Sequence, residues 1–251
     1  MQEEKYRELA YQEYLSHFGK LHNIEDINRE YKRTYLYLKG EIQPYLPDGN
    51  LSSLLDLGCG LGHAMFAFRE MGCKKVLGVD ISAECVDFCK RNGFHAEKRS
   101  ILDYLRETDL DFQVIYACDI IEHFHKDEAI ELLKLVKSKL QSNGRLLLIL
   151  PNANNLSNLR LRYMDITHEV FYTPESILQL MHFAGFNNVK VLGLRHFSVN
   201  AASMRWSLVK RLIVSPVSKL SEFSQRLFYL SAGLPDVKFV APRMLVIGMV
   251  E

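Results

Sequence analysis

The stretch that most constrains the fold is Leu-Leu-Asp-Leu-Gly-Cys-Gly-Leu-Gly-His-Ala, at residues 54–64. An apolar run with one acid leads into three alternating glycines, and a helical pattern that includes Met65 and Phe68 follows. This order predicts a strand at 53–57, a tight turn and a helix from His63, because glycine accepts positive φ and lets a ligand approach the backbone. Free N–H groups at the helix N-terminus would point at that ligand. The stretch therefore predicts a nucleotide-like binding site at the start of an α/β sheet.

Two kinds of binding turn share this outline. The dinucleotide fingerprint requires glycine at its sixth position, where this chain has His63. The pattern Asp-x-Gly-x-Gly-x-Gly from Asp56, followed about one βα unit later by Val-Leu-Gly-Val-Asp at 76–80, resembles motif I and the next strand of class I S-adenosylmethionine-dependent methyltransferases. The resemblance implies a seven-stranded, mostly parallel, doubly wound α/β sheet and S-adenosyl-L-methionine as cofactor. The alternative is a tight turn that binds no ligand.

The resemblance also implies which residues bind the cofactor. Asp80, at the end of the second strand, would accept hydrogen bonds from both ribose hydroxyls. Ser100 and Ile101 stand where the family commonly places an Asp and a small apolar residue against the adenine, so Ser100 departs from that pattern. The expected cofactor-binding set is Asp56, Gly58, Gly60, Gly62, Asp80, Ile81, Ser100, Ile101 and Asp119.

Chain-breaking residues and apolar runs divide the chain into four parts. Residues 1–48 read as an aromatic-rich helical extension, which in the resembled family often covers the cofactor; packing on the sheet edge is the alternative. Residues 49–192 form the predicted core, 193–242 a helical insertion, and 243–251 the last strand of the core sheet.

Composition narrows the partners and the compartment. The 251 residues carry a formal net charge of +1, so global electrostatics do not predict a nucleic-acid partner. Five cysteines occur without a metal-type Cys-x-x-Cys pair, which indicates a reducing cytoplasm. The polar N-terminus predicts no signal peptide, and no apolar run is long enough to predict a transmembrane helix.

A second polar group follows the predicted fourth strand. Asp119, Glu122 and His123 are spaced i, i+3, i+4, so a helix there would point all three side chains one way. A further polar cluster at 165–169 contains His168 and follows the fifth strand, at the same edge of the sheet. The arrangement resembles a subset of the family that contains the ubiquinone-pathway O-methyltransferases and the small-RNA 2′-O-methyltransferases.

In that subset two carboxylates and two histidines hold a divalent metal that coordinates the acceptor hydroxyls. The resemblance implies Asp119, Glu122, His123 and His168 as ligands of Mg²⁺, Mn²⁺ or Zn²⁺, with Asp119 in place of the usual, longer Glu. Two alternatives stay open: a general base, His123 or His168, or a purely structural role for both histidines. Either functional interpretation implies a hydroxyl acceptor.

Residues 203–231 show a basic amphipathic helical pattern, which Pro216 should kink or split. The pattern is typical of peripheral contact with the inner membrane face; a lid, a homodimer face and packing on the protein's own core remain alternatives. Asp-x-Thr-His at 165–168, with Thr-Pro-Glu-Ser beyond it, also resembles bacterial methyltransferases of surface-glycan pathways.

The predicted function is O-methylation of a small-molecule or glycan hydroxyl, in a sugar or a lipid-linked glycan. A phenol or quinone precursor is the alternative acceptor. An inactive cofactor-binding partner protein is the alternative from another class.

Overall fold

The computed structural model describes residues 5–12, 24–194, 215–234, 237 and 239–250. Part of the predicted amphipathic segment, at 203–214, lies outside the described residues. The α-helices among them are α1 (Lys5–Gln12), α2 (Ile24–Glu41), α3 (His63–Glu70), α4 (Ala83–Arg91), α5 (Ile101–Glu107), α6 (Lys126–Ser138), α7 (Leu159–Met164), α8 (Pro174–Phe183) and α9 (Ser215–Ser231). The strands are β1 (Ser53–Leu57), β2 (Lys75–Asp80), β3 (His95–Lys98), β4 (Phe112–Cys118), β5 (Leu140–Pro151), β6 (Asn188–Leu194) and β7 (Arg243–Met249).

These seven strands form one sheet in the order β3-β2-β1-β4-β5-β7-β6. The strands from β3 to β5 pair in parallel, whereas β7 runs antiparallel to both β5 and β6. The predicted seven-stranded, mostly parallel α/β sheet is confirmed, with the correction that it is mixed at the β7 side. The strand order reverses between β1 and β4, and ligands bind such sheets at the carboxyl ends of the strands at that point.

Capping residues start the helices next to the predicted sites. The Ser82 hydroxyl accepts a hydrogen bond from the Cys85 amide and begins α4. The Thr173 hydroxyl accepts one from the Ser176 amide, and Pro174 occupies the first helical position of α8. The sequence predicts both starts, because Ser, Thr and a following proline are typical of helix N-termini.

The apolar run at 146–150 and the Asn-Gly pair at 143–144 predict a strand that begins after a turn, whereas strand β5 begins at Leu140. Leu140 pairs with Phe112 and Arg145 with Val114, so the intervening residues form a bulge in the ladder. Asn143 has a left-handed φ of 60° inside this bulge. The predicted Asn-Gly turn is therefore an irregularity within a strand, since Asn tolerates left-handed backbone at small cost.

Helix α2 packs directly against the nucleotide-type turn. Tyr31 stacks on Phe66 of α3 with ring centroids 4.9 Å apart, and its hydroxyl donates to the Leu61 carbonyl at 2.7 Å. Leu38 and Ile42 are buried in the apolar cluster on the same face of the sheet. Within the described residues, every helix is too short or too polar to cross a bilayer.

Candidate active site

The three motif glycines all adopt left-handed backbone, with φ of 73° at Gly58, 50° at Gly60 and 76° at Gly62. A Cβ on Gly58 would lie 2.1 Å from Cδ1 of Ile120, so the position has no room for a side chain. The Gly58 and Cys59 amides both donate to the Val79 carbonyl, at 2.8 and 3.1 Å. The turn is thus fixed to β2, and its open backbone forms a cradle that a cofactor can approach closely.

Asp80 stands at the end of β2 beside this turn. Its two carboxylate oxygens accept from the amides of Gly60 and Ser82, each at 2.8 Å. Burial raises the pKa of Asp80, while the backbone amides of Ser82 and Gly60 act in the opposite direction. The amides orient the carboxylate, and each oxygen retains a second lone pair for a ribose hydroxyl.

The predicted adenine residues occupy the next crossover. The Ser100 hydroxyl accepts from the Asp103 amide at 3.3 Å and caps α5, a role that the family's usual Asp could also fill. Ile81 is 46% exposed although it is a large apolar side chain, and Ile101 packs against the core. Their contacts with the cofactor stay predictions.

A cavity of about 310 Å³ lies between α2 and the ends of β1, β4 and β7. Its wall includes Arg33, Tyr37, Asp56, Tyr116 and Arg243. The Asp56 side chain is buried, one of its oxygens has no hydrogen-bond partner in the described residues, and burial raises its pKa to about 8. The cavity therefore brings a carboxyl group that is costly to ionise next to the glycine turn.

Arg243 is a wall residue that no sequence motif singles out, because it lies far along the chain at the start of β7. Its guanidinium is ion-paired with the carboxylate of Asp119. Asp119 has a left-handed φ of 55°, and the single-turn helix Ile121–His123 begins after it. Asp119 therefore does not share a helical face with Glu122 and His123, and the helical expectation for it is wrong.

Three of the four expected metal ligands do converge. One ligand atom each from Glu122, His123 and His168 lies within 4.8 Å of the others, and this group does not include Asp119. The two imidazole centroids are 4.7 Å apart. The Glu122 carbonyl joins the two segments, since it accepts from the amides of Glu169 at 2.7 Å and Val170 at 3.2 Å.

Glu122 is 1% exposed, and neither of its carboxylate oxygens makes a hydrogen bond within the described residues. Burial, followed by the nearby Asp119, raises the pKa of Glu122 well above its ordinary value. A buried carboxyl group without a partner is costly in a folded protein. Such a group fits a cation or a hydroxyl as its partner.

Each histidine is anchored through Nδ1. His123 Nδ1 lies 2.8 Å from the Thr167 hydroxyl, and His168 Nδ1 lies 2.8 Å from the Leu161 carbonyl. Burial, with His168 as the next contribution, lowers the pKa of His123 to about 4, so its ring is neutral at physiological pH. A neutral imidazole anchored at one nitrogen is the form that accepts a proton or binds a metal through the other.

Helix α1 contacts the same region. The Tyr6 hydroxyl bonds to the Glu169 carboxylate, and Arg7 pairs with Glu128 at 3.1 Å. Part of the predicted extension therefore lies beside the histidines, as α2 lies beside the glycine turn. A separate role for each predicted tyrosine stays untested.

The sequence profile described as "Methyltransferase domain" matches residues 24–191, more than half of the chain. The chain belongs to this methyltransferase family. The match begins where α2 begins, so α2 is part of the shared domain.

Curated relatives and solved structures agree with this assignment. A tRNA U34 carboxymethyltransferase of Nautilia profundicola is 26% identical over 164 residues, 62% of this chain and 54% of the relative. An uncharacterised methyltransferase of Schizosaccharomyces pombe is 28% identical over 165 residues, 56% of this chain and 55% of the relative. The chain thus spans about half the length of these curated relatives. A SAM-dependent methyltransferase from Archaeoglobus fulgidus has the same fold, with a TM-score of 0.62 at 24% identity over 87% of this chain and 94% of that chain.

Membership of this family supports the predicted enzyme class, a methyltransferase, and the predicted cofactor, S-adenosylmethionine. The glycine cradle, Asp80 and the adjoining cavity fit that cofactor. None of these relatives bears out the narrower likeness to ubiquinone-pathway or surface-glycan enzymes.

Proposed function

We propose that this methyltransferase methylates a hydroxyl group, and that Glu122, His123 and His168 form the acceptor site. The observation that carries the proposal is their convergence within 4.8 Å at the end of β4, the strand whose Cys118 lines the cavity beside the glycine turn. The cofactor supplies an electrophilic methyl group on its sulfonium. The protein's tasks are therefore to align the acceptor and to take its proton.

The side chains divide these tasks by their chemistry. His123 or His168 accepts the hydroxyl proton, while the buried Glu122 bonds to the hydroxyl or to a neighbouring one. Asp56 and the motif glycines hold the cofactor's side of the cavity, and Asp80 holds the ribose. An amine or carbon acceptor would need less help in losing a proton, which supports a hydroxyl.

A divalent metal is the second candidate for the same three side chains. The unpartnered Glu122 carboxylate and two imidazoles anchored through Nδ1 fit Mn²⁺ or Zn²⁺ in donor type, and Mg²⁺ less well. Asp119 is ion-paired elsewhere, so the proposed ligand set is three residues rather than the four expected. A bound divalent cation would lower the pKa of a coordinated hydroxyl.

Calorimetric titration with Mn²⁺ and Zn²⁺ separates the two candidates. Metal binding by the wild type, lost in His168→Ala and retained in the exposed-histidine control His182→Ala, supports the metal site. The absence of binding to protein freed of metal with a chelator would leave the histidines as bases.

The proposed acceptor is a sugar hydroxyl, with a lipid-linked glycan as the favoured form. Helix α9 supports an amphiphilic acceptor, because two of its polar side chains contact the protein while its large apolar side chains point outward. Gln225 accepts from the Leu156 amide at 2.8 Å, and the Tyr229 hydroxyl donates to the Asn154 carbonyl at 2.9 Å. The outward side chains are 50% to 66% exposed: Val217, Leu220, Phe223, Leu227, Phe228 and Leu230.

This outward apolar surface fits peripheral contact with a membrane that carries the acceptor. Exposed Lys219 and Arg226 adjoin it, and anionic lipid attracts such residues by about 1 kcal/mol each. We expect sedimentation with anionic vesicles that weakens with salt and in Lys219→Glu/Arg226→Glu, but not in the control Lys134→Glu. If no protein pellets at low salt, the surface is a homodimer contact or is covered by the chain itself.

A transfer assay tests the function as a whole. Enzyme and isotopically methyl-labelled cofactor are offered lipid-linked glycans, free sugars, phenols and tRNA in parallel. We expect label in the glycan fraction, a rate lowered by about 10²–10⁴ in His123→Ala or His168→Ala, and little change in His182→Ala. Label confined to tRNA, the acceptor named for the Nautilia relative, would overturn the glycan assignment. Unchanged rates in both histidine variants would remove the proposed acceptor site.

A further inference from the structure

The two histidines of the acceptor site are held by different kinds of group. His168 is anchored by a main-chain carbonyl, that of Leu161 in α7. His123 is anchored by a side chain, the hydroxyl of Thr167, which is 2% exposed. A carbonyl can only accept a hydrogen bond, whereas a hydroxyl can either donate or accept. Whether His123 Nδ1 carries a hydrogen therefore depends on the direction of the Thr167 hydroxyl hydrogen, because Nδ1 donates only if that hydrogen points elsewhere.

Asp165 decides that direction. Its Oδ1 lies 2.6 Å from the Thr167 hydroxyl and 2.9 Å from the Thr167 amide. Burial opposes ionisation of Asp165, but the hydroxyl and amide of Thr167 and the two histidines outweigh it and lower the pKa. An ionised carboxylate accepts only, so the single Thr167 hydroxyl hydrogen goes to Asp165. The hydroxyl then presents a lone pair to His123.

It follows that His123 donates from Nδ1–H to Thr167. A neutral ring with its hydrogen on Nδ1 carries its lone pair on Nε2. In water the free histidine side chain favours the opposite form, with the hydrogen on Nε2. The Asp165–Thr167 pair thus holds His123 in its less favoured tautomer, which is a specific consequence of two side chains outside the predicted site.

We propose that Thr167 and Asp165 are positioning residues that set the tautomer and ring orientation of His123. The inference rests on the proposed function, because a fixed Nε2 lone pair is useful only if His123 takes a proton or binds a metal there. Neither residue needs to touch cofactor or acceptor. The role of Thr167 and Asp165 is the same for either candidate chemistry, since a proton and a metal both bind to a lone pair of the imidazole.

A structural role for Thr167 predicts a different outcome. The main-chain amide of Thr167 donates a hydrogen bond to the Asp165 carboxylate, and this bond survives a change of the Thr167 side chain. Thr167→Val therefore keeps the turn and the shape, while it removes the only hydroxyl that bonds to His123 Nδ1 among the described residues. Thr167→Ser restores a hydroxyl. Thr108→Val is the matched control, because it also removes a hydrogen-bonded threonine hydroxyl, one that accepts from the Leu110 amide and lies far from the histidines along the chain.

The decisive measurement is two-bond ¹H–¹⁵N correlation spectroscopy of the histidine rings in the full chain, without acceptor. The ring signals of His123 are assigned by their loss in His123→Gln. We expect the Nδ1–H pattern for His123 in the wild type, Thr167→Ser and Thr108→Val, and a shift towards Nε2–H in Thr167→Val. The His168 ring should keep its Nδ1–H pattern in all four proteins, because a carbonyl anchors it.

An Nε2–H pattern for His123 in the wild type overturns the inference even if no variant folds. An unchanged pattern in Thr167→Val also overturns it. With an acceptor in hand, Thr167→Val should lower kcat by about 10–100-fold, leave the affinity for S-adenosylhomocysteine unchanged, and be rescued by Thr167→Ser. The tautomer is measured without turnover, so the spectra test this inference separately from the proposed function. The proposed function is tested by the transfer rate of His123→Ala.

Discussion

The cofactor end and the acceptor end of the crevice are assembled over very different distances along the chain. At the cofactor end, the motif glycines and Asp80 belong to one βαβ unit and are held by main-chain amides. At the acceptor end, Glu122 meets Glu169, and Asp119 pairs with Arg243, through contacts between remote segments. Bonds within one βαβ unit make a turn that a local sequence motif can describe. Contacts between remote segments make a site that no local motif describes, and its Asp119–Arg243 ion pair depends on two single side chains.

The largest expected effect is Gly58→Ala. Left-handed backbone at alanine costs about 1–2 kcal/mol, and displacing Ile120 adds an overpacking cost of about 1–3 kcal/mol. We expect calorimetry with S-adenosylhomocysteine to show severe loss of affinity, with a lower melting temperature. Gly49→Ala is the control, since it has a φ of 86° but no atom within 4 Å of its Cβ.

Gly58→Ala also tests whether the two ends are independent. Ile120 sits beside Asp119, so its displacement would carry the strain from the glycine turn into the acceptor end. A shifted His123 ring pattern in this variant would show that the ends are coupled. If Gly58→Ala behaves like Gly49→Ala in both assays, the steric account of the turn is wrong.

Asp80→Ala should weaken cofactor binding by about 1.5–3 kcal/mol, because a charged acceptor of hydrogen bonds from two hydroxyls is lost. Calorimetry with S-adenosylhomocysteine measures the loss, and Asp87→Ala on the exposed side of α4 is the control. Equal affinity in Asp80→Ala and wild type would remove Asp80 from the ribose. The Nδ1–H pattern of His123 should be unchanged in both variants.

Glu122→Gln should stabilise the protein while it impairs transfer. The folded pKa of Glu122 is raised above its unfolded value, so its contribution to stability is greatest below pH 4.5 and falls as pH rises towards the folded pKa. Glutamine does not ionise, so the variant avoids the cost of protonating a buried carboxyl group that is ionised in the unfolded chain. The variant's gain in melting temperature should therefore grow from pH 5 towards higher pH. A gain that is constant with pH would contradict a buried, titrating Glu122.

The smallest expected effect is Tyr31→Phe. It deletes the hydroxyl that donates to the Leu61 carbonyl but keeps the stack on Phe66. A typical hydrogen bond contributes about 1 kcal/mol, so chemical denaturation should show a loss of that order. Tyr163→Phe, at a 77% exposed tyrosine, should show none. If Tyr31→Phe lowers the free energy of cofactor binding by more than it lowers the free energy of unfolding, then α2 holds the glycine turn in its binding conformation in addition to packing over it.

The contrast between the ends also explains what the sequence could predict. The strand, the turn, the helix start at Ser82 and the position of Asp80 follow from local patterns, and the structure has all of them. The seven-stranded sheet follows from the family resemblance. The resemblance placed Ser100 beside the adenine and did not identify it as the N-cap of α5. That role is also local, because serine just before a helix is a typical N-cap.

The acceptor end could be predicted only in part. Spacing placed Glu122, His123 and His168 at one edge of the sheet, because parallel strands end there together. It misplaced Asp119, since a left-handed residue before the helical turn cannot be read from i, i+3, i+4 spacing. It could not single out Arg243 or Thr167, whose roles depend on which remote side chains they meet.

The place of β7 in the sheet has a consequence for the order of assembly. This strand follows β6 along the chain, yet it lies between β5 and β6, and β6 pairs with no other strand in the described sheet. During synthesis β6 therefore has no partner until β7 has emerged and inserted. Arg243 arrives with β7 and completes the wall of the cavity. A nascent chain that stops before this strand would hold the whole glycine motif and still lack a finished pocket, so ligand-binding competence would appear only as the final strand docks.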